Sequence, residues 1–286
     1  MQQLKDKVAV ITGAASGIGL ALAERCAAEG MRLVLADIEE PALARAAQAI
    51  RNAGAQVLAQ RVDVASAAEV EALAEAAYKQ FGAVNLLCNN AGVGGVGAPV
   101  WAQTLDAWRW VINVNLFGVI YGVHSFVPRM LAGGQEGHVV NTASLAGLTS
   151  GAMISPYHAT KHAVVTLSES LYMELQMVNA KISASVLCPA FVKTKIGESE
   201  RNRPQSGDFG QTSGEFRAMI QTMVEQGVPA EGIADSVIEA VKQGRFWILT
   251  HPEYEPAIRE RVNAILDGRS PQPNTEFAAA RSRSSV

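Results

Sequence analysis

Tyr157 and Lys161 stand four residues apart, so a helix running through them places both side chains on one face. The segment 156–178 has the composition of such a helix, with Ser155 as an N-cap and Pro156 at the first helical position. A phenol ionises near pH 10 and is a poor base at neutral pH unless a cation sits beside it. Lys161 supplies that cation, and a first-turn helical position adds a positive field. Bringing the phenol to about 7 takes roughly 4 kcal/mol of differential stabilisation. A Tyr-x3-Lys pair arises by chance in about one chain in seven of this composition, so its company matters. Ser144 lies thirteen residues upstream, just beyond an apolar run at 138–142, where the carboxyl end of a strand would hold a ligand.

A second constellation lies near the start of the chain. Thr12-Gly13-Ala14-Ala15-Ser16-Gly17-Ile18-Gly19 follows a β-branched run and leads straight into an Ala-rich helical stretch. Glycines at that junction allow a tight turn and the close approach of a pyrophosphate to free helix N–H groups. The spacing is G-x3-G-x-G, and Asp37 closes the next apolar run. An acidic side chain there accepts hydrogen bonds from an adenosine ribose and repels a 2′-phosphate, and Ser16 and Ile38 offer no cation to hold one. The charge pattern therefore favours NAD over NADP, with a helix N-cap as the competing use of Asp37.

These residues need a frame. Seven short apolar runs, at 8–12, 31–36, 56–62, 84–88, 138–142, 182–187 and 246–249, alternate with helix-forming segments such as 17–29, 41–53 and 66–81. That alternation predicts an α/β fold: a doubly wound Rossmann-type sheet of seven parallel strands flanked by helices on both faces. The rhythm breaks at 193–227, which is polar and Gly-rich before an apolar stripe of Phe216, Met219, Ile220 and Met223. Such an insertion reads as a substrate lid. Residues 1–250 then form one domain including the lid, because sites running from Gly13 to Thr194 admit no boundary. Residues 251–286 form an extension whose last twenty or so residues are loose.

Composition excludes several classes. The chain has 286 residues, is 49% hydrophobic and carries a formal charge of −3, which argues against a generally basic nucleic-acid binder. Cys26, Cys88 and Cys188 are too far apart for a CxxC pair or a zinc knuckle and read as buried thiols of a cytoplasmic protein. His158 and His162 lack further ligands at metal spacing, so no metal site is expected. The apolar stretch 111–127 is interrupted by Asn113, Asn115 and His124, and the polar start carries no signal-peptide pattern, so no membrane span or leader is expected. Trp101, Trp108 and Trp110 read as packing or interface residues.

Taken together, the motifs resemble the short-chain dehydrogenase/reductase family over residues 4–250. The residues that carry the resemblance are Thr12-Gly13-x3-Gly17-Ile18-Gly19, Asp63-Val64, Asn89-Asn90-Ala91-Gly92, Asn115, Ser144, Tyr157-x3-Lys161, and Pro189 with Thr194. The resemblance implies a catalytic tetrad of Asn115, Ser144, Tyr157 and Lys161. It places Asp63 and Val64 near the adenine, Asn90 at the adenosine-side ribose, Val192 and Thr194 at the nicotinamide carboxamide, and Ala91, Gly92 and Pro189 among the cofactor-binding residues. In that scheme Ser144 holds the substrate oxygen at Tyr157, while Asn115 kinks its helix and anchors a water that relays protons from Lys161. Ala190 stands where the family usually has glycine, a departure that puts the local backbone in question.

The expected activity is reversible hydride transfer between NAD and a bulky apolar secondary alcohol, aryl or polycyclic, or its ketone. Val93 to Val96, Met153, Ile154 and Phe191 are candidate pocket residues. An NADP-dependent ketoreductase of the acyl-carrier type would want a cation near Ser16 or Ile38, and a non-catalytic NAD-binding protein would have no need of Tyr157 and Lys161. By resemblance the chain is a homodimer or homotetramer built on helices near 104–131 and 156–178.

Overall fold

The computed structural model describes residues 1–272. Seven parallel strands form one sheet: β1 (Val8–Thr12), β2 (Arg32–Asp37), β3 (Val57–Arg61), β4 (Leu86–Asn89), β5 (Gly137–Thr142), β6 (Ile182–Cys188) and β7 (Trp247–Leu249). Their order is β3-β2-β1-β4-β5-β6-β7, so the winding reverses between β1 and β4. Helices α1 (Gly17–Ala28), α2 (Glu40–Asn52) and α8 (Ala230–Gln243) cover one face. The other is covered by α3 (Ala67–Phe81), α5 (Gly118–Gly133) and α6 (Ser155–Met177). Alternation along a single strand explains both layers: Ala9 and Ile11 of β1 pack under α1, whereas Val8 and Val10 pack under α3 and α5. This is the doubly wound sheet expected from the alternating runs.

Element limits shift where a side chain overrides propensity. β4 starts at Leu86 instead of Val84. Asn85 brackets the entry to the sheet, its Oδ1 accepting from Val8 N–H at 3.1 Å and its Nδ2 donating to the Glu136 carbonyl at 3.1 Å. Helix α6 begins at Ser155 itself, with Ile154 at the N-cap and no side-chain cap, so the expected Ser155 cap does not form. The helix α4 (Leu105–Ile112) passes through a π-helical turn at Asn113–Phe117 into α5. An 18-residue window within this stretch, Leu105–Gly133, reaches mean hydropathy 1.4, apolar enough by length and composition alone to cross a membrane. Half of that window is buried, against α3, α6 and β4. The loose tail expected over 267–286 falls largely on residues 273–286, outside the described residues. Before that point Arg269 pairs with Glu260 at 2.6 Å and with Asp267 at 3.2 Å.

The three cysteines are free and buried, and burial pushes Cys26 and Cys188 up to about 12. His138, fully buried on β5 with Nε2 2.6 Å from Ser185 Oγ, is pushed down to about 3 by burial. A base whose folded pKa lies below its unfolded value of about 6.5 stays neutral in the native state while the unfolded chain takes up a proton. Stability should therefore fall as pH drops from about 6.5 toward 3, by on the order of 4 kcal/mol from this group. Urea unfolding of wild type and His138→Asn across that window checks it: the variant should lose most of the one-proton slope, and identical slopes would refute the assignment.

Candidate active site

A cleft of about 1460 Å³ opens at the carboxyl ends of the strands, across the reversal between β1 and β4. That exceeds the roughly 300–1,000 Å³ of a typical small-molecule site and leaves room for a dinucleotide with a second molecule. Of the catalytic and cofactor-binding residues singled out from sequence, all but Gly19 and Asn115 line it.

Gly19 and Asn115 lie behind the wall, and both act by contact. A Cβ on Gly19 would meet the Gly13 carbonyl at 2.0 Å and Asn90 Nδ2 at 2.7 Å, so glycine lets α1 start flush against β1. Gly13 takes φ +66°, and a Cβ there would strike Ala91 Cα at 2.9 Å. Ser16, the α1 N-cap, makes no side-chain cap bond, leaving the first-turn N–H groups aimed into the cleft. Thr12 ties the facing segment down: its Oγ1 accepts from the Asn90 and Ala91 amides at 2.9 and 3.1 Å. Asn90 Nδ2 donates to the Thr12 carbonyl at 3.0 Å, so its side chain is committed to bracing the turn. The turn is thus held by its backbone with Thr12 and Asn90, and the Thr194 side chain rests against Gly17.

Asp37 ends β2 with its carboxylate fixed by two amides, Ala15 N–H at 2.9 Å and Glu39 N–H at 2.9 Å. Neither is a helix cap, since Glu39 occupies the α2 N-cap. A carboxylate has about four lone-pair directions, so acceptor capacity remains for ribose hydroxyls. Of the nearby cations, Arg61 lies 3.0 Å from Glu69 and Arg201 Nε donates to Glu39 at 3.0 Å, while the charge of Lys195 is also felt at Glu39. Burial alone would raise the Glu39 carboxyl, but Arg201 and Asn202 hold it below the usual range.

The four polar residues of the sequence reading converge beyond this cradle. Lys161 is buried, donates from Nζ to the Thr142 carbonyl at 2.9 Å, and sits 5.5 Å from the centre of the Tyr157 ring. Burial lowers it to about 8. The Tyr157 phenol is raised by burial, with a hydrogen bond to Ser144 opposing. In the protein alone desolvation therefore outweighs the bond from Ser144, the opposite direction to the lowering expected with Lys161 and an oxidised nicotinamide beside the phenol. Ser144 also caps the 3₁₀ turn Leu145–Gly147, accepting from Ala146 N–H at 3.1 Å and donating to the Pro189 carbonyl at 3.3 Å. Asn115 sits in the π-turn, its Oδ1 accepting from Val93 N–H at 2.8 Å and its Nδ2 donating to the Val93 carbonyl at 2.9 Å. The predicted helix distortion is therefore present. The side chain, however, is spent on Val93, and a relay water would need another acceptor.

The segment after β6 was only partly legible. Val192 bridges to Val228 in parallel fashion, with Lys193 N–H donating to the Val228 carbonyl at 2.9 Å, which ties both ends of 193–227 together. That insertion is ordered as a 3₁₀ helix, Ile196–Asn202, and α7, Gly214–Glu225. Phe216 packs so closely on Gly97 that a Cβ there would fall 2.2 Å from its ring. His251, just past β7, was missed as a functional residue. Its Nδ1 accepts from Ala190 N–H at 3.1 Å and its Nε2 reaches the Phe191 carbonyl at 3.2 Å, clamping the turn that faces the cleft. Ala190 is not among the residues with positive φ, so alanine fits there without strain. Val93, Ile154 and Phe191 line the cleft as expected, but Val96 and Met153 do not. Met153 adopts φ +75°, and its carbonyl accepts from the buried Gln103 at 3.0 Å. Trp110 lines the cleft instead of serving only as packing. Helix α9 (Glu255–Leu266) also borders it, which no sequence pattern announced.

Fold, cradle and polar cluster together define a nucleotide-dependent oxidoreductase architecture. Residues 7–205 match the short chain dehydrogenase family model. The chain is 37% identical over 278 residues to the CLA biosynthesis dehydrogenase/reductase of Lactiplantibacillus plantarum, covering 95% of this chain and 97% of that one. It is 36% identical over 275 residues to the 1-deoxy-11-beta-hydroxypentalenate dehydrogenase of Streptomyces exfoliatus, covering 96% and 94%. A short-chain dehydrogenase/reductase from Burkholderia phymatum, crystallised with NAD, superposes with TM-score 0.93 at 44% identity, covering 96% and 99%. The chain belongs to the short-chain dehydrogenase/reductase family.

Proposed function

We propose that the protein interconverts a bulky secondary alcohol, aryl or polycyclic, and its ketone, using NAD, with Tyr157 as the acid/base. The observation that carries this is the convergence of Tyr157, Ser144 and Lys161 beside the cradle closed by Asp37. NAD bound along the cradle supplies the hydride acceptor or donor. Gly13, Gly17 and Ile18 receive the pyrophosphate, Asp37 and Ile38 the adenosine ribose, Asp63 and Val64 the adenine, and Val192 and Thr194 the carboxamide.

Ser144 holds the substrate oxygen against the Tyr157 hydroxyl. Tyr157 takes the alcohol proton in oxidation and returns it in reduction. Lys161 lowers the cost of the phenolate by its charge, and Asn115 braces the 90–93 segment against the π-turn. Residues 1–250 act as one domain with 193–227 as its lid and 251–286 as an extension. Exposed Phe117, Met173 and Met177 on α5 and α6 and their approach support a homodimer or homotetramer, and the buried free thiols suit a cytoplasmic setting.

The test is turnover of a panel of bulky secondary alcohols, read as NADH absorbance. At least one should be oxidised with NAD in preference to NADP, and a preference for NADP would overturn the role given to Asp37. Asp37→Ser should cut kcat/KM with NAD by about tenfold or more while improving the NADP ratio, since it removes the ribose acceptor and the like charge together. An unchanged ratio would contradict the assignment.

A further inference from the structure

The substrate end of the cleft carries more positive charge than its own carboxylates neutralise. Glu200 of the lid serves three partners: Thr212 Oγ1 at 2.9 Å, Arg217 Nη2 at 2.8 Å and Arg203 Nη2 at 2.8 Å. The Arg203 approach lies off the hydrogen-bonding direction, so its Nη2 and Nε remain buried donors without an acceptor. Its guanidinium is held 5.9 Å from the Trp110 ring centre and 5.8 Å from that of Phe209, between two rings that meet edge to face. Arg261 comes from a different element, α9. It is partly buried on the cleft wall, makes no hydrogen bond or ion pair among the described residues, and its charge is felt at His158, the neighbour of Tyr157. By contrast Arg269 on the same side is satisfied by Glu260 and Asp267.

Buried guanidinium donors left unsatisfied are costly, and the group that repays them is a forked oxyanion. The surrounding Trp110, Phe209 and Ile220 suit an apolar body attached to it. We propose that Arg203 of the lid and Arg261 of α9 form an anion subsite, and that the alcohol or ketone handled here carries a carboxylate remote from the reacting carbon. The proposal deepens the function above and rests on its placement of the substrate in this cleft.

Isothermal titration of the full chain, saturated with NADH, with 2-naphthoate and with 2-naphthamide tests the subsite without requiring turnover. The carboxylate should bind about tenfold or more tightly than the amide, with the advantage shrinking as salt rises. Arg261→Gln and Arg203→Gln should each reduce that preference, and the double variant should abolish it. Arg259→Gln, on the same helix but off the cleft, controls for helix integrity and should leave it intact. Equal binding of the two probes by wild type, binding of neither, or a preference that survives the double variant would each overturn the proposal. A carboxylate preference without oxidation of any alcohol in the panel would instead sink the catalytic role and leave the subsite standing.

Discussion

Tyr157→Phe should abolish turnover, lowering kcat by about a thousandfold or more, while leaving the affinity for NADH within a few-fold of wild type. The substitution removes one oxygen and leaves the ring against which Lys161 Nζ sits at 5.5 Å. Ser144 cannot replace it, because its hydroxyl is far weaker as an acid or base. Burial raises the phenol, so alcohol oxidation should accelerate with rising pH as the phenolate becomes accessible, whereas ketone reduction, which needs the protonated phenol, should not. Stopped-flow turnover in both directions, with NADH binding measured separately, checks this. A variant that turns over near the wild-type rate would remove Tyr157 from the chemistry.

The second large effect has two signs. Lys161→Met should be nearly inactive and yet more stable than wild type. Lys161 is buried and lowered to about 8 from an ordinary 10.5, so its charged form is disfavoured in the native state. That depression corresponds to about 3 kcal/mol of lost stability at neutral pH, which the bond from Nζ to the Thr142 carbonyl offsets in part. Methionine fills a similar volume without the charge. Between about 8 and 10.5 the unfolded chain binds a proton that the native chain does not, so wild-type stability should rise with pH through that window and the variant's should not. Urea unfolding at pH 7 should show a gain of about 1–3 kcal/mol, the lower end allowing for relaxation and the lost hydrogen bond. A destabilised variant would mean that the ammonium is better solvated than its burial implies.

Much of the frame could be read from residue order alone, because strand and helix differ in period and each apolar run had to bury both faces. The turn at Gly13 and Gly19 and the juxtaposition of Tyr157 with Lys161 were legible for a related reason: both depend on local spacing that the backbone fixes. What escaped depends on contacts between distant segments. His251 reaches Ala190 across 61 positions, and Arg201 closes on Glu39 across 162, with no local signal for either. The upward push of burial on Tyr157 was not legible, because desolvation is set by everything packed around a group, while a sequence shows only its neighbours. Helix α9 reached the cleft through the extension, and Trp110 of α4 faces it against Phe209 of the lid, segments whose courses no periodicity specifies.

Deuterium transfer tests the central assignment most directly. A bulky secondary alcohol labelled at its carbinol carbon is incubated with the protein and NAD, and the reduced cofactor is analysed by mass spectrometry. The expected result is NADH carrying the label in stoichiometry with ketone, formed by wild type and lost in Tyr157→Phe. Protein that binds NAD but yields no labelled NADH from any alcohol of the panel, nor oxidises NADH with the matching ketones, would contradict it.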